Sequence, residues 1–217
     1  MNELIESKWR RGKNNTLRHY IRKLPWKVRR HNHESYLPDY FGPMIGDKKE
    51  ITIAELGSGM FCTIGSLWKT AKVKIYASDA LAPEFNQILK SHGITPLIPV
   101  VMENMESLTY PDNFFDIAHC CNALDHTPDP IKAIKEMYRV VKPGGYIYLR
   151  HFVNVGEHER YGGLHTWNID MQGKDCTIWN RQERFLLSEY FKGFVTVKKR
   201  ELDYEHDDMV VSILHKI

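Results

Sequence analysis

The sequence predicts an α/β protein: an open, doubly wound, mostly parallel sheet of seven strands, closed by a C-terminal antiparallel hairpin and covered by helices on both faces. Three observations predict it. Short apolar runs alternate with helix-period segments through residues 51–152, the pattern of strands joined by crossover helices. A glycine-containing turn, Gly57-Ser58-Gly59, follows the first of these runs. Two further runs, 194–202 and 209–217, read as a terminal hairpin.

Each element has its own signal. Leu17, Tyr20, Ile21 and Leu24 fall at i, i+3, i+4 and i+7, so the N-terminal arm is expected to be helical until Pro25 stops it. Residues 31–49 are rich in Pro, Gly, Asn and Asp and read as a connector. Strands are expected at 51–56, 72–79, 96–101, 114–121 and 146–152. Pro96 and Pro99 restrict the third of these to a sheet edge. Residues 63–71 are expected to form a short helix, and Phe85, Ile88 and Leu89 mark another over 83–92. Asp129 and Pro130 read as a cap and a first-turn proline. The stripe Ile131, Ile134, Met137, Tyr138 and Val141 then gives a helix that Lys142-Pro143-Gly144-Gly145 ends. Residues 153–180 show no clean period, and 181–191 read as a helix.

Composition narrows the classes. The chain has 217 residues, 42% hydrophobic and 26% charged, ordinary globular usage that excludes disorder. No apolar run approaches the roughly 20 residues of a membrane span, and no secretory signal is visible. Cys62, Cys120, Cys121 and Cys176 form no C-x-x-C pair and read as reduced thiols, so a cytoplasmic protein is expected. The net charge of +3 hides an asymmetry. Residues 1–33 carry ten Lys or Arg against Glu3 and Glu6, a net +8; residues 34–217 carry 20 basic and 25 acidic residues, a net −5. The reading is a basic helical arm, or lid, over 1–33 and a single domain over 34–217. Such an arm fits an anionic partner, or else is a solvated helix face.

Two positions carry binding chemistry. Glycines after a strand let the backbone turn tightly and approach a ligand, although such a turn alone is common. Asp79, 22 residues after Gly57 at the end of the next strand, is placed to accept ribose hydroxyls, or else to cap the following helix. The two together describe an adenosine pocket.

A third segment, Asn104 to Gly145, makes the sequence resemble the class I S-adenosylmethionine-dependent methyltransferases, in particular the type-11 methyltransferase family. The matching residues are Asn104, Met105, Leu108, Tyr110, Asp112, Phe115, Asp116, Leu124, His126, Asp129, Pro130, Glu136, Arg139, Val140, Lys142, Pro143, Gly144 and Gly145. With the earlier motifs the resemblance covers about residues 51–152. It implies a Rossmann-like fold and S-adenosyl-L-methionine as cofactor, with S-adenosyl-L-homocysteine as product. It assigns Glu55, Gly57 and Gly59 to the methionine part of the cofactor, Asp79 to the ribose, and Ala80 and Leu81 to the side of the adenine. Asn104 and Met105 would meet the adenine edge. Cys120 and Cys121 would meet the amino-acid end, with Asn122 at the mouth of the site. The chain departs from the family in having Phe61 where a third glycine is usual and Asn104 where an Asp is usual.

Methyl transfer from a sulfonium is an in-line displacement, so alignment and desolvation supply much of the rate. A hydroxyl acceptor also calls for a base, for which histidine is the usual choice. Three are candidates: His126 after the fourth strand, His151 at the end of the fifth, and His165 in the 153–180 segment, which is expected to cover the acceptor. No metal-binding spacing is visible, and no metal site is expected. The reading is transfer to a small polar or anionic acceptor, an oxygen on a sugar-linked or phosphate-bearing molecule. The alternatives are an RNA methyltransferase gripping phosphates with its arm, and a non-catalytic partner protein of the same fold. No membrane partner is expected.

Overall fold

The structure is a computed structural model that describes residues 3–200 and 208–217, so the last two residues of the expected strand 194–202 lie outside the described residues. The chain opens with helices α1 (Glu3–Arg22) and α2 (Leu24–His31), a 3-10 turn at Asp39–Phe41 and the one-turn α3 (Gly42–Ile45). Then come β1 (Glu50–Leu56), β2 (Lys72–Ser78), α4 (Ala82–Ser91), β3 (Val100–Val101), β4 (Phe115–Cys121), a 3-10 turn at Leu124–His126, α5 (Pro130–Val140) and β5 (Val141–Phe152). The remainder holds α6 (Val155–His158), β6 (Asn168–Gln172), β7 (Asp175–Trp179), β8 (Arg184–Leu186), α7 (Leu187–Tyr190), β9 (Phe194–Arg200) and β10 (Asp208–His215).

Seven strands form one sheet in the order β3-β2-β1-β4-β5-β10-β9. The β1–β2, β2–β3, β1–β4 and β4–β5 pairs are parallel, and β10 runs antiparallel to both β5 and β9. This is the expected Rossmann-like architecture. Ile51, Ile53, Ala54 and Leu56 of β1 and Ile117, Ala118 and Cys120 of β4 are all buried, as central parallel strands require. The strand order reverses between β1 and β4. That leaves a crevice at their carboxyl ends, where Leu56 pairs with Cys120.

Several expected elements differ. Pro25 opens α2 instead of ending the arm: with no N–H and a fixed φ, it fits a first helical turn. Ile21, expected on the apolar face, is 46% exposed, while Leu17, Tyr20, Leu24 and Val28 pack with Met60, Phe61, Leu81, Phe85 and Leu89. Residues 31–49 are no mere connector, since Leu37, Phe41, Met44 and Ile45 are buried against Ile51, Ile53 and Ile117. No helix forms at 63–71; Gly65 turns at φ +75° and the N–H groups of Ser66 and Leu67 donate to Ser35 O. The third strand shrinks to Val100–Val101, in keeping with the missing N–H groups of Pro96 and Pro99.

The largest difference is at 153–191. In place of an aperiodic segment and a helix, β6, β7 and β8 form a separate three-stranded antiparallel sheet, and only Leu187–Tyr190 is helical. Its cue is Gly173-Lys174, a two-residue hairpin loop whose glycine has φ +64°.

The cap of α5 is as expected: Asp129 Oδ1 accepts the Lys132 N–H at 2.9 Å, and Pro130 sits in the first turn. Near its other end, Arg139 binds both oxygens of Glu136 at 2.8 and 2.9 Å, Asp112 at 2.7 Å, and the carbonyls of Leu108 and Tyr110, each at 2.9 Å. These bonds fasten the loop before β4 to α5. Replacing Arg139 by Met is expected to cost roughly 2 kcal/mol, and Arg139→Lys most of the same, because a point charge cannot reproduce the fork. Urea denaturation at neutral pH measures both, and a lysine variant as stable as wild type would contradict the role of the fork.

Candidate functional site

Two adjoining cavities open at the crevice. The turn between them is built by backbone constraint. Gly57 and Gly59 have φ of +70° and +72°. The N–H groups of Gly57 and Ser58 both donate to Ser78 O, at 2.8 and 3.0 Å, locking the end of β1 to the end of β2. A Cβ on Gly57 would lie 2.2 Å from the Ala123 Cβ, and one on Gly59 would lie 2.1 Å from the Tyr20 hydroxyl. Both positions therefore need glycine for space as well as for torsion.

The first cavity, about 330 Å³, is lined by Gly57, Asp79, Ala80, Leu81, Asn104, Met105, Asn122 and His126, with Tyr20 and Phe85 against it. Asp79 Oδ1 accepts the Leu81 N–H at 2.8 Å and Oδ2 accepts the Gly59 N–H at 2.9 Å. Burial nevertheless raises the pKa of Asp79. A donor arriving from a ligand would relieve that cost. Asn104 Oδ1 is engaged by the Glu106 N–H at 2.9 Å.

The second cavity, about 460 Å³, meets the first at Tyr20, Gly57 and Asn122. It is lined by Glu55 and Thr63, by Cys121 and Arg150 at the ends of β4 and β5, by Tyr40 and His119, and by Trp26, Lys27 and Arg30 of α2. Glu55 is buried, which raises its pKa, and its oxygens accept the Thr63 N–H at 3.0 and 3.1 Å. Lys27 Nζ stands 4.0 Å above the Tyr20 ring. Burial, then Lys23 and Arg30, lower its pKa to about 8, so it still carries its charge at neutral pH.

Of the expected cofactor residues, Glu55, Gly57, Asp79, Ala80, Asn104, Met105, Cys121 and Asn122 therefore line one cavity or the other. Gly59 and Cys120 line neither. Gly59 acts by donating to Asp79, and Cys120 is fully buried with its Sγ 3.9 Å from Met105 Sδ.

The three expected histidines lie apart from the basic cavity. His126 lines the first cavity. His165 Nδ1 is 2.7 Å from Asp125 Oδ2 and 3.1 Å from His126 Nε2. Burial lowers the pKa of His165, but the bond and charge of Asp125 outweigh it and the net shift is upward. Burial raises that of Asp125, and His126 and His165 overturn it. Burial lowers that of His126. His151 lies in neither lining; with Leu149 it takes the face of β5 opposite Tyr148 and Arg150, and burial lowers its pKa to about 4.

Sequence reading missed Tyr20, Lys27, Arg30, Tyr40, His119 and Arg150. Arg150 adjoins His151, and period-2 alternation says that one of them faces each way but not which. His119 lies beside the stacked pair Tyr40 and Tyr148, whose ring centroids are 4.5 Å apart; its own centroid is 6.1 and 5.5 Å from theirs, and its Nε2 is 3.1 Å from the Tyr40 hydroxyl.

Two stability predictions follow from these packing facts. Gly57→Ala is expected to lose at least about 1–2 kcal/mol from the left-handed torsion alone, and more from the clash. Adding Ala123→Gly should restore only the clash component. Full recovery in urea denaturation would show that torsion plays no part. His119 concerns pH. Burial, with the charges of Arg150 and His151, lowers its folded pKa to about 3. Above the unfolded value of about 6.5 both states are neutral; below it only the unfolded chain takes up the proton, so stability falls as pH drops. His119→Phe keeps the stack and removes this proton. The stability loss between pH 7 and pH 5 should shrink by roughly 1–2 kcal/mol. Identical pH slopes for the two proteins would contradict it.

Comparison with known proteins agrees with this geometry. Residues 54–149 match the family model described as "Methyltransferase domain". The ubiquinone/menaquinone biosynthesis C-methyltransferase UbiE of Shewanella sediminis is 30% identical over 112 residues, 52% of this chain and 36% of that protein. The matched part of the chain thus spans little more than a third of that relative. Two solved structures share the fold. A Haloferax volcanii methyltransferase, solved in complex with the Trm112 methyltransferase activator, aligns with TM-score 0.60 and 17% identity over 94% of this chain and 97% of its own. An S-adenosylmethionine-dependent methyltransferase from Methanosarcina mazei gives 0.52 and 18% over 84% and 99%. With the sheet order, the glycine turn and the Asp79 crevice already in place, residues 54–149 carry a methyltransferase domain similar to the class I S-adenosyl-L-methionine-dependent methyltransferases.

Proposed function

We propose that this protein transfers the methyl group of S-adenosyl-L-methionine to a small acceptor that carries an anionic group. The observation that carries the reading is the charge of the second cavity. Lys27, Arg30 and Arg150 line it against a single carboxylate, Glu55, whose oxygens already hold Thr63. Tyr40 and Trp26 add flat walls.

In this reading the cofactor lies across both cavities. Its adenosine occupies the first, with the ribose hydroxyls on Asp79 and the adenine between Leu81 and the Asn104-Met105 pair. Its methionine end reaches the Glu55–Gly57 turn and Cys121 at their junction. The cations of the second cavity hold the acceptor's anionic group and so fix its reacting atom in line with the sulfonium, where placement and exclusion of water lower the barrier. The arm contributes Tyr20, Lys27 and Arg30, and so acts as the lid. A hydroxyl oxygen on a sugar-linked or phosphate-bearing molecule fits the polar walls. Methylation at carbon, as the name of the Shewanella relative states for that protein, is the competing outcome.

Two measurements test the reading. Asp79→Ala should weaken S-adenosylhomocysteine binding at least tenfold in equilibrium titration, in line with loss of a charge-assisted bond. Near-wild-type affinity would refute the ribose role. Turnover, followed as S-adenosylhomocysteine release across phosphorylated sugars, nucleotides and phenolic acids, should appear with anionic acceptors only. It should fall in Lys27→Ser/Arg30→Ser mainly through a higher KM. Equal turnover of neutral counterparts would refute the anionic acceptor. Turnover of RNA alone, with steep salt dependence, would favour the nucleic-acid reading.

A further inference from the structure

Three donor atoms from two distant segments converge at the wall of the first cavity, and the proposed transfer uses none of them. Asp125 and His126 stand on the 3-10 turn after β4, and His165 lies in the segment between α6 and β6. Asp125 Oδ2 is 2.7 Å from His165 Nδ1 and 3.5 Å from His126 Nε2, and the two ring nitrogens are 3.1 Å apart. A tetrahedral zinc ion with bonds of about 2.0–2.1 Å holds its donors roughly 3.3 Å apart. The three spacings bracket that value. Two imidazole nitrogens and one carboxylate oxygen, with a fourth position left over, make the donor set of open zinc centres.

Hydrogen bonding accounts for the cluster poorly. A proton on His165 Nδ1 has to serve both Asp125 and His126, whereas a cation in the middle would meet three lone pairs at once. A second observation is independent of these contacts. His151 is 2% exposed, and neither of its ring nitrogens has a partner. It stands two residues along β5 from Leu149, in the cluster that contains Leu124 and Trp167, and its charged neighbours include Asp125 and His126. An orphaned buried imidazole beside three convergent donors is what a metal-bound water would satisfy.

We propose that Asp125, His126 and His165 bind one divalent transition-metal ion, zinc being the best match, and that the ion clamps the 153–186 segment to the turn after β4. The clamp has a scaffold already. The Asp125 carbonyl accepts the Thr166 N–H at 3.0 Å, and the Thr127 carbonyl accepts the Trp167 indole N–H at 2.9 Å. The ion would add a tie between side chains to these bonds to backbone carbonyls.

Full-length, metal-stripped protein titrated with Co²⁺ tests the site, followed by Zn²⁺ in competition with a chromophoric chelator. The expected result is one equivalent bound, with visible ligand-field bands and no thiolate charge-transfer band. His126→Asn and His165→Asn should each weaken Zn²⁺ by more than the roughly 10–100-fold that loss of a supporting residue costs. Cys121→Ser should leave it unchanged. His126→Asn keeps the Asp125–His165 bond, so a purely structural role of that bond predicts no change in that variant. Substoichiometric binding, a thiolate band, or wild-type affinity in His126→Asn would each overturn the proposal.

Discussion

The site depends on one constraint: the end of β1 must stop against the end of β2 and turn within three residues. Ser78 O takes two N–H groups from the turn, and Asp79 takes a third from Gly59. Those bonds exist only because Gly57 and Gly59 tolerate left-handed torsions and present no Cβ to Ala123 and Tyr20. The same bonds aim the Asp79 carboxylate into the crevice and bring Glu55 to its floor. Without the turn, neither cavity has a boundary.

Around this fixed turn the chain arranges two kinds of wall. The sheet and the loops after β2 and β4 give a cavity of about 330 Å³ with the carboxylates of Asp79, Glu103 and Glu106 in its lining. Helix α2 gives the other cavity Lys27 and Arg30, which join Arg150 of β5. The charge asymmetry of the sequence, a basic arm on an acidic body, thus becomes a local field in the second cavity. Tyr20 joins the two walls: its ring packs on Phe85 at 4.6 Å, Lys27 stands over it, and its hydroxyl reaches Gly59.

Much of this was legible in the residues. Apolar strands, the glycine turn, Asp79 and the capped helix at 130–140 are local signals, and the structure places them as their spacing implies. What the sequence hid is non-local. Residues 63–71 are expected to be helical, yet Gly65, Ser66 and two threonines are weak helix formers, and pairing with Ser35 decides their shape. The Gly173-Lys174 hairpin joins short strands whose alternation is blurred by buried polar residues such as Asn168 and Thr177. His126 and His165 are 39 residues apart, and no spacing rule connects them until the second sheet docks. The facing of Arg150 against His151 likewise rests on which side of β5 meets α5, a tertiary fact.

The most direct test of the account is a crystal structure of the full-length protein with S-adenosylhomocysteine. The account predicts the ribose hydroxyls on Asp79, the adenine beside Leu81 and Asn104, and the sulfur at the junction of the two cavities near Gly57 and Asn122, facing the cavity that Lys27 and Arg30 line. A nucleoside lodged elsewhere, or a sulfur turned away from that basic cavity, would contradict it.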